Sequence, residues 1–198
     1  MTGIILGMVG AGILAGRYLL PAGVVGALDS ISVAALGLLA LGVGIDIGRN
    51  RDAWRTLRQL GGRIVLVPLS VATGSIGGAI LAGIWLHLPA NASGAVGAGF
   101  GWYSLSGILL SKLATVEIGA LAFLTNVFRE VIAVGLMPVL ARYTGKITAI
   151  APGGATTMDT TLPVIVKYVG AEVAVIAFVS GVLLTLAVPV LVPLIIRL

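Results

Sequence analysis

Residues 119–140, GALAFLTNVFREVIAVGLMPVL, constrain the fold more than any other stretch, because this long apolar segment carries ionisable side chains in its middle. As a helix it is long enough to cross a bilayer, which takes about 20 apolar residues. Its centre holds Asn126, Arg129 and Glu130. A charged side chain at the centre of a membrane helix costs about 2.5–3.5 kcal/mol on insertion scales, so such groups normally face a partner or a water-filled cavity. The rest of the chain must supply one of these.

The whole chain is too apolar for a water-soluble domain. Of its 198 residues 59% are hydrophobic and 10% are charged, and the mean hydropathy is +1.16. We therefore predict an all-α, polytopic transmembrane helix bundle that forms one domain, residues 1–198. About five helices are expected to cross, at residues 2–20, 31–47, 64–86, 119–140 and 171–196. The third is expected to be broken at Pro68 and at its glycines, Gly74, Gly77 and Gly78.

Two further segments, residues 94–111 and 150–167, combine glycine or proline breaks with polar side chains. Non-helical backbone at membrane depth is tolerated where protein or a watery cavity covers it. We predict two re-entrant or broken helices that enter from opposite faces, as in transporters built from inverted repeats.

The placement of charge predicts the topology and argues against nucleic-acid binding. Residues 48–63 contain five arginines against Asp52 alone, which marks a cytoplasmic loop. The prediction is a multi-pass protein of the cytoplasmic (inner) membrane, amino terminus inside and carboxyl terminus outside, with residues 87–93 in an outer loop. Arg142 and Lys146 are then cytoplasmic if residues 94–111 dip and return.

Several classes of chemistry find no support in the residues. The chain has no cysteine and a single histidine, so we expect no disulfide, no metal centre and no cofactor. No phosphate-binding loop and no nucleophile–base pair is visible, so we expect neither ATP hydrolysis nor an enzyme.

Glu130 is the first candidate for a proton or cation site. Asn126 lies four residues before it and shares its helix face. Arg129 points about 100° away from Glu130, and so is better placed to bind another segment. The alternative is that Arg129 and Glu130 are structural, each satisfied by other helices.

Asp159 is the second candidate. It follows the break formed by Pro152, Gly153 and Gly154. The neighbouring hydroxyls are those of Thr156, Thr157 and Thr160. A broken helix leaves free amides and carbonyls that can hold a polar substrate or an ion. The alternative is that Asp159 caps a half-helix.

The cluster Trp102, Tyr103, Ser104 and Ser106 is a candidate lining of the pathway. An interfacial aromatic belt with helix-packing serines explains the same residues, and without further information is the better explanation.

Three motifs together resemble one family in their order and spacing: GFGWYSLSGILL at residues 99–110, NVFREVIA at 126–133 and GGATTMDTTLPV at 153–164. The chain is identified as a member of the LysO family of bacterial and archaeal lysine exporters. The resemblance implies export of L-lysine and analogues such as thialysine. It also implies that the two functionally important intramembrane acids correspond to Glu130 and Asp159.

Longer family members have an additional amino-terminal region of about three spans. We therefore expect a small, separately encoded membrane subunit as a partner, or a homo-oligomer, besides the lipid bilayer. The mechanistic hypothesis is secondary active export, with protons or another cation in antiport with lysine. A passive cation or amino-acid channel, or a structural subunit of a two-component transporter, remains as the alternative.

Overall fold

A computed structural model describes residues 61–198 and, before them, only residues 11, 14–18, 38, 41, 45 and 55. The predicted spans at 2–20 and 31–47, and most of the arginine-rich loop, therefore lie outside the described residues. Within residues 61–198 all regular structure is helical. The elements are the 3₁₀ segment Gly61–Val65, α1 (Leu66–Trp85), α2 (Ala90–Gly97), α3 (Tyr103–Leu113), α4 (Val116–Tyr143), the 3₁₀ segment Thr148–Met158, α5 (Leu162–Tyr168) and α6 (Ala171–Ile196).

Three of these helices, α1, α4 and α6, are long and apolar enough to cross a membrane. They contain 20, 28 and 26 residues. At 1.5 Å per residue they extend about 30–42 Å, which matches or exceeds the hydrocarbon thickness. The helical, membrane-spanning character predicted for residues 64–86, 119–140 and 171–196 is confirmed to that extent.

The predicted break in the third span is wrong, because α1 is one continuous helix. Pro68 is the third residue of α1, where an amide has no intrahelical acceptor and its absence costs no bond. Gly74, Gly77 and Gly78 all lie within the continuous helix, because a glycine costs a helix only about 1 kcal/mol relative to alanine and removes no backbone hydrogen bond.

The predicted outer loop at residues 87–93 is too long, since α2 begins at Ala90. Ser93 is buried, and it lies so close to Gly83 of α1 that a Cβ atom there would collide with it. The Asn91 side-chain amide donates to the Ile196 carbonyl at 3.2 Å. Packing against the ends of α1 and α6 thus stabilises α2 from Ala90, four residues before the predicted segment at 94–111 begins.

Two apolar cores lie one after the other along the long helices. The first joins the start of α6, the carboxyl-terminal half of α4 and the 3₁₀ segment before α1, represented by Ala174, Met137 and Ile64. The second joins the later half of α6 to the earlier half of α4, as in Leu184 and Ala122. α1 and α6 therefore run in one direction and α4 in the other.

The segment from α2 to α3, residues 90–113, is a helical hairpin, which we call the first hairpin. α2 runs antiparallel to α1, because Ser93 approaches Gly83 while Gly97 approaches Ala79. α3 runs antiparallel to α4, because Gly119 packs directly on Ser111. Since α1 and α4 are themselves antiparallel, α2 and α3 must be so too. The tip of the first hairpin is the non-helical stretch at residues 98–102.

A second hairpin, residues 148–168, consists of the Thr148–Met158 segment and α5. Ile150 and Ile165, one from each arm, both lie in the first core. The two hairpins thus come from opposite ends of the bundle, and their tips meet. The Ala155 amide donates to the Phe100 carbonyl at 2.8 Å, which joins the two broken backbones directly. Phe100 and Gly154 both have positive φ, +48° and +59°, at this crossing.

Candidate functional site

A cavity of about 230 Å³ opens where the two hairpin tips meet α4 and α6. Its size far exceeds the ~30 Å³ that one water molecule occupies in the liquid. The residues that line it are Gly101, Trp102, Tyr103, Ser104, Glu130, Ala155, Thr156, Met158, Asp159, Thr160 and Thr185. Both acids singled out in the sequence are among them, although they lie on different elements.

Glu130 and Asp159 are close enough to interact electrostatically across this cavity. Glu130 comes from the middle of α4 and is half-buried, whereas Asp159 lies at the tip of the second hairpin and is exposed in the described chain. The Thr160 hydroxyl lies near both carboxylates, but it is buried outside hydrogen-bonding geometry. Two like charges that share a cavity favour the binding of a cation or a proton.

Asp159 does not cap the helix that follows it. Its Oδ1 accepts from the adjacent Thr160 amide at 2.6 Å. The residue at the N-cap of α5 is Thr161, and no side chain caps that helix. The carboxylate therefore remains directed to the cavity instead of being consumed by a cap.

Arg129 does not line this cavity and does not neutralise Glu130. Its Nε donates to the Pro152 carbonyl at 2.8 Å and its Nη2 to the Ala151 carbonyl at 3.4 Å. Its Nη1 donates to the Ser75 hydroxyl of α1 at 2.7 Å. The side chain thus ties the second hairpin and α1 to α4, as its position on the helix predicted.

Asn126 does for the first hairpin what Arg129 does for the second. Its Oδ1 accepts from the Gly101 amide at 2.7 Å, and its Nδ2 donates to the Ala122 carbonyl at 2.9 Å. Longer contacts join Nδ2 to the Val96 carbonyl at 3.3 Å and to the Ser106 hydroxyl at 3.4 Å. Asn126 is buried and holds the hairpin tip without lining the cavity.

The glycines and threonines of the second tip divide into two groups. Thr156 faces the cavity, and its hydroxyl donates to the Gly153 carbonyl at 2.9 Å. Thr157 points away, and its hydroxyl contacts the carbonyls of Gly154 and Ala177 at 2.7 Å each. Gly153 and Gly154 are buried and contribute backbone to the crossing.

The aromatic motif of the first tip lines the cavity with its first three members. Trp102, Tyr103 and Ser104 lie at the start of α3. The Tyr103 ring packs edge-on against Phe123 of α4, with centroids 5.4 Å apart. Ser106 is buried outside the cavity, where its hydroxyl donates to the Trp102 carbonyl at 2.8 Å.

Four lining residues escaped the sequence interpretation: Gly101, Ala155, Met158 and Thr185. Thr185 comes from α6, and its hydroxyl contacts the Met158 sulfur at 3.4 Å. The available signal was a single hydroxyl residue within a leucine-rich part of the last span. Within residues 61–198 no three His, Cys, Asp or Glu side chains group as metal ligands.

The geometry suits a polar, positively charged organic ligand. Two carboxylates supply negative charge, and the Trp102 and Tyr103 rings supply apolar contact. The first turn of α3 also opens here without a side-chain cap, so the amides of Ser104 and Leu105 can donate to a carboxylate.

Comparison with known proteins agrees with this chemistry. A family model described as "Lysine exporter LysO" matches residues 6–196. The chain is 41% identical over 157 residues to "Lysine exporter LysO" of Escherichia coli K12, which covers 78% of the chain and 51% of that protein. It is 36% identical over 149 residues to a "Putative lysine exporter" of Haemophilus influenzae, with 75% of each protein covered.

The chain thus spans about half of the length of the E. coli relative. No solved structure matches it. The family match extends over nearly the whole chain and takes in both hairpins, the central helix and the two acids. This chain belongs to the LysO family of lysine exporters.

Proposed function

We propose that this protein exports L-lysine across the cytoplasmic membrane by exchange for protons. One observation carries the proposal: Glu130 and Asp159, from two different elements, meet in a single cavity at the junction of the two hairpin tips. The relatives' names, lysine exporters, indicate the solute.

The two hairpins are proposed to be re-entrant segments that dip into the bilayer from opposite faces. Each follows a long helix and returns to the end at which that helix finished: the first follows α1 and the second follows α4. Because α1 and α4 are antiparallel, the pair reads as an inverted repeat, an arrangement that places substrate sites at the membrane midplane. With residues 48–63 cytoplasmic, the second hairpin opens inward, and Arg142 and Lys146 follow α4 on the cytoplasmic side.

Lysine carries one carboxylate and two ammonium groups, so its site needs both anions and donors. In our proposal Glu130 and Asp159 bind an ammonium group, and Thr156 and Thr160 offer hydroxyls beside it. The substrate carboxylate lies on the amides of Ser104 and Leu105 in the first turn of α3, where the positive end of the helix dipole favours an anion. Asn126 and Arg129, included among the predicted binding residues, instead hold the hairpin tips in place.

Export of a cation works against an inside-negative potential by about 2.3 kcal/mol per charge per 100 mV. A driving ion is therefore required, and the proton is the simplest that two carboxylates can carry. One acid would release its proton as lysine binds from the cytoplasm and regain a proton after lysine leaves outside.

The test replaces Glu130 with Gln and Asp159 with Asn, which preserve shape and remove charge. Efflux of radiolabelled lysine from vesicles should fall by about 100-fold or more, because each change removes more than ~2.7 kcal/mol of charge-assisted binding. Glu117→Gln is the matched control, an exposed acid on the same helix outside the cavity. Full export by both variants would contradict the proposal.

A passive cation or amino-acid channel would use the same acids. Counterflow in vesicles separates the two functions: an exporter accumulates lysine against its gradient when a pH gradient is imposed, and a channel does not. Thialysine in excess should compete with labelled lysine in the same assay.

We further propose that a small, separately encoded membrane subunit, or a second copy of this chain, completes the transporter. The exposed apolar side chains of α4, among them Leu124, Phe128 and Ile132, provide a surface for such packing or for lipid. Reconstitution of the chain alone and with the subunit, with lysine counterflow as the readout, tests the requirement. Equal activity in both preparations would remove the subunit from the proposal.

A further inference from the structure

Charge at the centre of the bundle is unevenly balanced. Between the helix ends, the described elements around the cavity carry one guanidinium, Arg129, and two carboxylates, Glu130 and Asp159. α1 has no ionisable side chain, and α6 has none beyond Glu172 in its first turn. The first hairpin contributes Tyr103 at its tip and Lys112 in the last turn of α3. The second hairpin adds Lys167 in the last turn of α5, and α4 adds Glu117 in its first turn and Arg142 in its last. With both acids ionised, the described centre carries one net negative charge.

From this balance we infer that the centre formed by Arg129, Glu130 and Asp159 exchanges one lysine for one proton, with no net charge moved, and that Arg129 sets this ratio. The inference rests on the proposed lysine export and specifies its coupling.

Burying a net charge at the centre of a membrane protein costs free energy. An occluded centre excluded from water is tolerated when its charges cancel, because an uncompensated charge in a low dielectric is strongly penalised. Lysine at neutral pH has a net charge of one, so bound lysine neutralises the centre. One proton on either carboxylate does the same. The centre can therefore close off from water when it holds either lysine or a proton. The empty centre, with one unbalanced negative charge, cannot close and so cannot switch between the two sides of the membrane. Exchange becomes obligatory.

Arg129 is suited to set the balance because it adjoins Glu130 in the chain and lies against Gly154, beside the cavity-lining Ala155, without entering the cavity. Its hydrogen bonds to Pro152, Ala151 and Ser75 hold its charge beside the tip of the second hairpin. If that charge is removed, two carboxylates face the cavity unopposed. Loss of a nearby cation disfavours the ionised form of both carboxylates, so one proton would stay bound beside lysine and the pH profile of transport would shift to higher pH.

Electroneutrality is tested with the full chain in proteoliposomes, with the membrane potential clamped by valinomycin and potassium. We expect lysine counterflow driven by a pH gradient to reach the same final lysine gradient at 0 mV and at 100 mV. Exchange of two protons for one lysine would move one net charge, and would shift the final gradient by about 50-fold per 100 mV. That shift would overturn the inference and leave lysine export intact. Complete absence of counterflow would count against the proposed function itself.

Proton release measured in detergent with a pH-sensitive dye gives a second test, which needs no transport. Lysine added to the protein at acidic pH should release close to one proton per lysine bound. Release of none, or of two, contradicts the one-for-one exchange.

Arg129→Lys and Arg129→Gln separate charge from structure. The lysine variant keeps the charge and loses the planar hydrogen-bonding group, so its rate should fall while its pH profile stays. The glutamine variant should move its pH profile to higher pH, because the carboxylates lose a stabilising positive charge. If both variants slow equally with an unchanged pH profile, Arg129 is structural only and does not set the ratio. If neither variant folds, the proton count for the unaltered protein still decides the exchange ratio.

Discussion

Asn126→Leu is the most informative single change for the fold of the site, because one side chain anchors the tip of the first hairpin. Leucine has nearly the same volume and fits a helix, so the change removes hydrogen bonds and little else. The principal bond lost is that from the Gly101 amide to Asn126 Oδ1 at 2.7 Å.

The magnitude follows from which partners are left unsatisfied. The Gly101 amide lies in a buried residue and has no other acceptor in the described structure. An orphaned buried amide costs about 1–3 kcal/mol. The carbonyl of Ala122 keeps its helix bond, and Val96 keeps that from the Gly99 amide, so the three Nδ2 contacts contribute only about 0.6 kcal/mol each, the membrane average. The sum is about 3–5 kcal/mol.

Hydrogen–deuterium exchange of the purified protein in detergent provides the assay. Peptides that cover residues 94–106 should exchange about 100-fold faster or more in Asn126→Leu, since about 2.8 kcal/mol corresponds to that factor. Peptides from the second hairpin should change less. Lysine counterflow should fall along with the loss of protection, because Gly101 to Ser104 line the cavity.

Ser106→Ala serves as the matched control. It removes the 3.4 Å contact to Asn126, the bond to the Trp102 carbonyl and a 3.4 Å contact to the Tyr103 carbonyl, and should cost about 1 kcal/mol or less. Protection of residues 94–106 that is the same in Asn126→Leu as in the unaltered chain would refute the anchoring role.

Two further changes probe the second hairpin. Gly154→Ala should destabilise the protein by about 1–3 kcal/mol and abolish counterflow, because φ is +59° and a Cβ would lie 2.9 Å from Arg129 Nη2; Gly78→Ala, in a helix with open space around it, should be neutral or stabilising, and equal melting temperatures for the two variants would contradict this reasoning. Thr157→Val should lower stability by about 1 kcal/mol through loss of the bond to Ala177 and leave lysine binding unchanged, as measured by denaturation and by titration, because Thr157 does not line the cavity. A large loss of lysine affinity would place Thr157 in the site after all.

Much of the site was predictable because ionisable groups in an apolar helix are expensive. Glu130 stood out for that reason and Asp159 because it follows a helix break among threonines, and the structure brings both to one cavity. Arg129 was predicted to bind another segment from its angle on the helix, and it does. The positions of the hairpin tips were predictable, since glycines interrupt the first segment and Pro152, Gly153 and Gly154 interrupt the second. Ser106 and Thr157, candidates by proximity in sequence, turn out to face packing contacts, which neighbours along the chain do not reveal.

The amino-acid sequence determines local properties of this protein, and the tertiary structure determines contacts between distant segments. Hydrophobic run lengths, helix breaks and buried charge are local properties, so the amino-acid sequence alone determined the helical membrane class, the candidate spans and the two acids. Contacts between segments far apart in the chain decide three features of the site. Arg129 donates to the Pro152 carbonyl, Asn126 accepts from the Gly101 amide, and Thr185 of α6 lines the cavity. Such contacts exist only once the tips of the two hairpins meet, at the bond between Ala155 and Phe100. Tertiary packing alone decided them.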